Sequence, residues 1–229
     1  MKILAIQNRM GIGDMVIFLP FIEAIAKKFN SPISLLVKES SKASHFLYNN
    51  KNIDKIILLE RDEKNKDHEG FIGSLKLIKD LKFHNFNKVF IFNSSLRFNL
   101  ICKFAGIKEI YQYPLFKKKK QHIIHAAQNF LKNKLDINVE SNPTINLDDQ
   151  LINNSKESYK IDSNKTNILL GIGGSGPTKR IPAEKFLKFM EISSKEYNCR
   201  YFLATGKNKE EQIILNEILN SEFQERCVP

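Results

Sequence analysis

The chain has 229 residues, 42% hydrophobic and 27% charged, enough apolar material for one large core or two small ones, which excludes wholesale disorder and a disulfide-stapled mini-protein. Its 36 basic and 25 acidic side chains give a formal charge of +11, which favours phosphates, anionic headgroups or nucleic acid without choosing among them. Three scattered cysteines, Cys102, Cys199 and Cys227, suit a reducing compartment and neither a disulfide framework nor a metal knuckle.

The chain opens on a buried-looking strand over residues 3–6, followed by the turn Gln7-Asn8-Arg9-Met10-Gly11-Ile12-Gly13-Asp14. Gly11 and Gly13 let the backbone turn sharply, and Asp14 stands where a helix begins, either as a simple N-cap or as a carboxylate offered to a ligand. The helix that follows is apolar nearly all round to Phe21, with Pro20 expected to kink it. Its most apolar part, residues 15–26, is too short to span a bilayer and contains Glu23. These features read as a cytoplasmic protein, with contact at a membrane face left open by the charge.

Short runs of Ile, Leu, Val and Phe predict further strands at 33–37, 55–59, 88–92 and 109–111, alternating with helices over 41–48, 72–83, 96–105 and 121–135. This is the βα pattern of a parallel sheet. Asn93-Ser94-Ser95 makes a natural loop and cap before the 96–105 helix, and Gly106 closes it. The one dense basic run, Lys117 to Lys120, reads as a solvated loop, and no zinc-finger or aromatic RNA-binding signature accompanies the charge. Residues 138–164 are polar and carry Pro143, predicting a linker with one short helix and a domain boundary at 163, so that the domains are 1–163 and 164–229.

The second domain begins with a strand over 166–172 that runs into Gly173-Gly174-Ser175-Gly176-Pro177-Thr178-Lys179-Arg180, with Pro182 as the first residue of a helix. A glycine-rich loop before a helix N-terminus, with Lys179 and Arg180 beside it, has the chemistry of a diphosphate cradle, although the spacing is not that of a P-loop. A strand at 200–204, the turn Thr205-Gly206, a helix over 207–219 and a last strand at 226–228 follow. The second sheet thus has fewer strands than a usual doubly wound domain.

Three stretches together resemble the glycosyltransferase family 9 pattern, that of ADP-heptose:lipopolysaccharide heptosyltransferases. They are Met1-Lys2-Ile3-Leu4 through Gly13-Asp14 to Leu19-Pro20; Asn87 to Asn93 through Arg97 to Ala105-Gly106; and Gly174-Ser175 through Lys179-Arg180-Ile181-Pro182 to Phe186, followed by Thr205-Gly206. The resemblance implies an α/β, GT-B-like architecture of two Rossmann-like parallel-sheet domains, the second incomplete, the first taking the acceptor and the second the nucleotide-sugar. It implies an inverting, metal-independent transfer of a heptose-like sugar from a nucleotide diphosphate donor to a lipopolysaccharide-type glycolipid at the inner membrane face. No separate cofactor and no nucleic acid enter.

On the same resemblance Asp14 is the catalytic base. Gly11, Gly13 and Arg97 lie toward the acceptor; Arg97 is otherwise a surface arginine at a helix start. Gly174, Ser175, Lys179, Arg180, Gly206 and Glu210 lie toward the donor; Glu210 is otherwise a solvated first-turn glutamate. The five histidines lack metal-site spacing. Two departures stand out. Ile181 replaces a common aromatic residue, and the family's D-[ST]-G-x-x-H segment is not met before Pro229, so the chain as given is expected to be weakly active or inactive. The alternative is a noncatalytic nucleotide- or nucleic-acid-binding α/β protein. A nicotinamide-dependent dehydrogenase ranks below both, because no GxGxxG follows the first strand.

Overall fold

A computed structural model describes residues 1–9, 11–61, 66–115, 121–174 and 179–229. The chain forms two compact units, Met1–Asp148 and Asp149–Pro229. The first contains β1 (Ile3–Gln7), α1 (Ile12–Phe29), β2 (Ile33–Val37), α2 (Ala43–Phe46), β3 (Ile53–Leu58), α3 (Gly70–His84), β4 (Lys88–Ile91), α4 (Leu96–Phe104), β5 (Glu109–Gln112) and α5 (Ile123–Leu135). Its five strands are all parallel and ordered β3-β2-β1-β4-β5, with Ile3 opposite both Ile33 and Lys88.

Because side chains alternate across a strand and both faces of this sheet are covered, the strands read as unbroken apolar runs. Ile3, Ala5, Leu35, Val37, Phe90 and Phe92 form one core with α1 and α5. Leu4, Ile6, Leu36, Val89 and Ile91 form the other with α3 and α4. Aromatic rings fill the first layer: Phe90 stacks on Tyr111 at 4.7 Å between centroids, and Phe18 meets Phe92 edge-on at 5.2 Å. Each such side chain, fully buried, stabilises the unit by roughly 1.5–3 kcal/mol.

Local chemistry sets several element ends differently from the sequence pattern. The helix expected over 41–48 shrinks to four residues after a 3₁₀ turn at Glu39–Ser41, because Lys42 takes a left-handed conformation with φ 52°. α1 runs unbroken through Pro20, whose ring is buried and whose missing N–H leaves the Val16 carbonyl without that intrahelical bond. Gly73 is required by packing: a Cβ there would lie 2.3 Å from the backbone carbon of His68.

The second unit contains α6 (Asp149–Ser158), β6 (Thr166–Gly171), α7 (Ala183–Glu196), β7 (Cys199–Ala204), α8 (Lys209–Leu219) and β8 (Cys227–Val228). Its three strands are parallel and ordered β6-β7-β8. The sequence pattern places the boundary at 163, whereas the compact units divide at 148. The Lys160 carbonyl accepts from Arg200 Nη1 at 2.9 Å and the Asp162 carbonyl from Asn167 Nδ2 at 2.7 Å, tying the residues after α6 to this sheet. Ile172, Phe186, Met190, Tyr201 and Ile218 form the core on one face; Leu169, on the other face, is 71% exposed. Pro182 is the N-cap of α7, with ψ 151°, and Ala183 its first residue, since the extended ψ puts Pro182 outside the helix. Among the described residues no helix is long and apolar enough to cross a membrane.

Candidate functional site

In the first unit the strand order reverses between β1 and β4, with α1 covering one face and α4 the other, so the loops at their carboxyl ends border a crevice. Gly11 is the N-cap of α1, at φ 105°, a conformation that an L side chain adopts only with strain. The helix therefore starts at Ile12, and Asp14 is its third residue, not its cap. The carboxylate sits in the first turn, where the helix dipole favours negative charge, and lies 4.0 Å from Arg9 Nη1. The Arg9 N–H donates to Gln7 Oε1 at 3.0 Å, which shapes the turn leading to it. Met10 lies outside the described residues.

Across the crevice Asn93 Nδ2 donates to Asn8 Oδ1 at 3.0 Å, joining the ends of β4 and β1. Gln112 Nε2 donates to the carbonyls of Asn93 and Ser95, and its Oε1 accepts from Asn99, so the second loop is held by hydrogen bonds along its length. Gln7 Nε2 and the Tyr113 hydroxyl are buried donors without a hydrogen-bond partner among the described residues. Burial pushes the Tyr113 phenol well above its ordinary range, with Arg9 partly offsetting the effect. These polar residues escaped the sequence reading; only the Asn93-Ser94-Ser95 loop signalled them.

Arg97 begins α4 but turns inward. Its Nε donates to Ser74 Oγ at 2.9 Å and its Nη2 to the His68 carbonyl at 2.5 Å, clamping α4 to the start of α3, while Nη1 is buried without a partner among the described residues. His68 is itself buried: its Nδ1 accepts from the Glu60 N–H at 3.0 Å, so the proton resides on Nε2, 3.1 Å from Asp80 Oδ2. Among the described residues no group of three or more His, Cys, Asp or Glu side chains has the arrangement of a metal site.

In the second unit the expected donor residues converge at the carboxyl ends of β6 and β7. A Cβ on Gly174 would lie 3.0 Å from the Lys179 carbonyl and 3.4 Å from Arg180 Cγ, so these residues lie against one another. Arg180 forms an ion pair with Glu210, bringing two of the expected residues together. Lys179 is exposed on the same loop. Ser175 lies outside the described residues. α7 starts without a side-chain cap, its Lys185 N–H donating to the Pro182 carbonyl at 3.1 Å, whereas α8 is capped by Asn208, whose Oδ1 accepts from the Glu210 N–H at 3.0 Å.

The organiser of this corner is a residue the sequence reading passed over. Glu211, only 7% exposed, accepts from the Gly206 N–H at 2.7 Å and from the Gly174 N–H at 3.2 Å, so one carboxylate bridges the two loops. The Gly174 N–H, in the loop expected to cradle a diphosphate, is thus engaged internally, as is that of Gly206 on the donor side. The signal was Asn208-Lys209-Glu210-Glu211, a cap followed three residues later by a glutamate; the carboxylate passes over its own cap to the preceding glycine turn.

No family model matches the chain. The curated lipopolysaccharide heptosyltransferase 1 of Campylobacter coli is 25% identical over 241 residues, an alignment covering 92% of this chain and 66% of that protein. The structure of E. coli ADP-heptose lps heptosyltransferase II superposes with a TM-score of 0.71 at 19% identity, covering 99% of this chain and 71% of that one. E. coli heptosyltransferase WaaC with ADP-2-deoxy-2-fluoro heptose gives a TM-score of 0.65 at 12% identity, covering 100% and 76%. The likeness establishes the fold as the GT-B type, with two Rossmann-like units of which the second is incomplete beside these relatives.

Proposed function

We propose that this chain, a relative of the heptosyltransferases of glycosyltransferase family 9, serves the transfer of a heptose-like sugar from a nucleoside diphosphate, of ADP-heptose type, to a hydroxyl of a lipopolysaccharide-type glycolipid at the cytoplasmic face of the membrane. One observation carries the reading: in each unit the residues matched to the family gather at the carboxyl ends of the parallel strands, where α/β sheets bind ligands. Asp14 supplies a carboxylate at the first of these places. Gly174, Lys179, Arg180, Gly206 and Glu210 surround the second.

In the reaction the Asp14 carboxylate takes the proton of the acceptor hydroxyl as its oxygen attacks the anomeric carbon. The bond from that carbon to the diphosphate oxygen breaks, its electron pair leaves with the nucleoside diphosphate, and attack from the opposite side inverts the centre. Lys179 and the uncapped N-terminus of α7 counter the charge building on the leaving group. Glu211 holds the Gly174 and Gly206 loops in the shape this requires, and Arg180 contributes once its partner Glu210 turns to the donor. Gly11 and Gly13 expose Asp14 to the acceptor, with Arg97 behind them as the clamp on α4.

The test is calorimetric titration with ADP-heptose together with a transfer assay on a glycolipid acceptor. Lys179→Ala is expected to weaken donor binding about tenfold or more, roughly 1.4 kcal/mol. In the intact protein Asp14→Asn is expected to keep donor binding and lower turnover about 10²–10⁴-fold. Unchanged donor affinity in the first variant, or retained turnover in the second, removes that residue from its role. Stabilisation by oligonucleotides in place of the nucleotide-sugar would establish the noncatalytic alternative.

A further inference from the structure

The outer faces of α3 and α4 carry large apolar side chains where a surface helix ordinarily carries polar ones. On α3, Phe71 is 79% exposed, Ile72 82% and Phe83 86%, with Leu75 between them. On α4, Leu96, Leu100 and Phe104 follow one another at intervals of four and form a single stripe. Both helices also bury an inner apolar face, Leu77 and Leu81 in one and Phe98 and Ile101 in the other, so they are apolar on two sides. At about 100° per residue the exposed apolar positions of α3 fall within an arc of roughly 120°, with Lys79 and Lys82 interleaved among them and Lys76 at its edge. The two helices pack side by side on the same sheet face and are joined by the Arg97–Ser74 bond.

Exposed apolar side chains in this number on neighbouring helices mark an interaction surface. Its charge selects the partner. Of the basic residues on the two helices, Arg97 is turned inward and Lys76 pairs with Asp67, which leaves Lys79, Lys82 and Lys103 on the outer side against one acid of these helices, Asp80, itself turned to His68. Lys79, Lys82 and Lys103 make no ion pair among the described residues. Aromatic and aliphatic side chains among unpaired lysines on helices of this length have the composition of an interfacial helix, which lays its apolar face into the headgroup boundary while its lysines meet lipid phosphates.

We infer that the outer face of α3 and α4 docks on an anionic lipid bilayer. The inference gives the membrane side of the proposed function a surface, yet rests on this patch and not on sugar transfer.

The experiment is flotation of the protein with vesicles of phosphatidylcholine containing phosphatidylglycerol, against phosphatidylcholine alone, with size-exclusion light scattering in parallel. The protein should float with the anionic vesicles, and less so as salt is raised. Phe83→Ser with Phe104→Ser, and separately Lys79→Glu with Lys82→Glu, should each lower binding at least about fivefold, with circular dichroism and Tm unchanged. These side chains lie outside the cores, so donor affinity stays as it was, which separates a failed surface from a failed glycosyltransferase reading. No flotation of the unaltered chain, equal flotation of the variants, or a dimer dissociated by the phenylalanine changes without vesicle binding would each overturn the inference, the last by making a second copy the occupant.

Discussion

Glu211 gives the sharpest test of how the second unit holds its loops. The carboxylate is nearly inaccessible to water and accepts from two backbone N–H groups on different strand ends, at 2.7 and 3.2 Å. A hydrogen bond to a charged group contributes about 1.5–3 kcal/mol. Both glycines are partly open to solvent, so water recovers part of the loss, and Glu211→Ala should cost roughly 2–3 kcal/mol in total. For a unit of this size that lowers Tm by about 10–20 °C. Glu211→Gln keeps the shape and one acceptor oxygen but sets an NH₂ group against one of the N–H donors, for roughly 1–2 kcal/mol. Gly206→Ala is the control: its Cβ would come 2.8 Å from Glu211 Oε2, so its cost should be smaller in the Glu211→Ala background than alone. Differential scanning calorimetry of the parent and the four variants decides the matter. Melting of both Glu211 variants within about 2 °C of the parent would show that the bridge contributes nothing to stability.

Two further outcomes concern the first unit. Gly73→Ala would drive a methyl into the backbone of His68, and urea denaturation should show a loss of about 2–4 kcal/mol, larger than the ordinary Gly-to-Ala effect in a helix, which favours alanine. Burial raises the Cys102 thiol from 9.0 to about 12, so it stays protonated in the fold at pH values where the unfolded thiol ionises. Its contribution to stability is therefore fully present below pH 9 and is lost as pH rises toward 12. Alkylation of Cys102 at pH 8, followed by mass spectrometry, should be negligible until the first unit unfolds; rapid native labelling would contradict its burial.

The first unit was legible in sequence because its strands lie between two helical layers and so appear as uninterrupted apolar runs: β2 falls at residues 33–37 as expected, and β1 and β4 differ by one residue each. Helix starts were harder, since they depend on single dihedral angles. Gly11 at φ 105° moves the start of α1 ahead of Asp14, and Lys42 at φ 52° splits the segment before α2. Side chains acting across long sequence separations were not legible at all. Glu211 reaches a glycine 37 positions earlier, and Arg97 a carbonyl 29 positions earlier, and no local period records either pairing. The convergence of Arg180 and Glu210 was anticipated only because a resemblance placed both near one ligand.

The Arg97 clamp has a consequence for geometry at a lipid surface. With α4 fastened to Ser74 of α3 and to the His68 carbonyl just before it, the two outer faces cannot tilt independently. A helix pair lying flat in the headgroups would set the sheet above it with its strands running along the bilayer, one helix diameter away, about 10–12 Å. The carboxyl ends of β1 and β4 would then open sideways at that stand-off height. A hydroxyl carried on an inner sugar, raised clear of the lipid phosphates, would meet Asp14 there, whereas one held at phosphate level would pass beneath it.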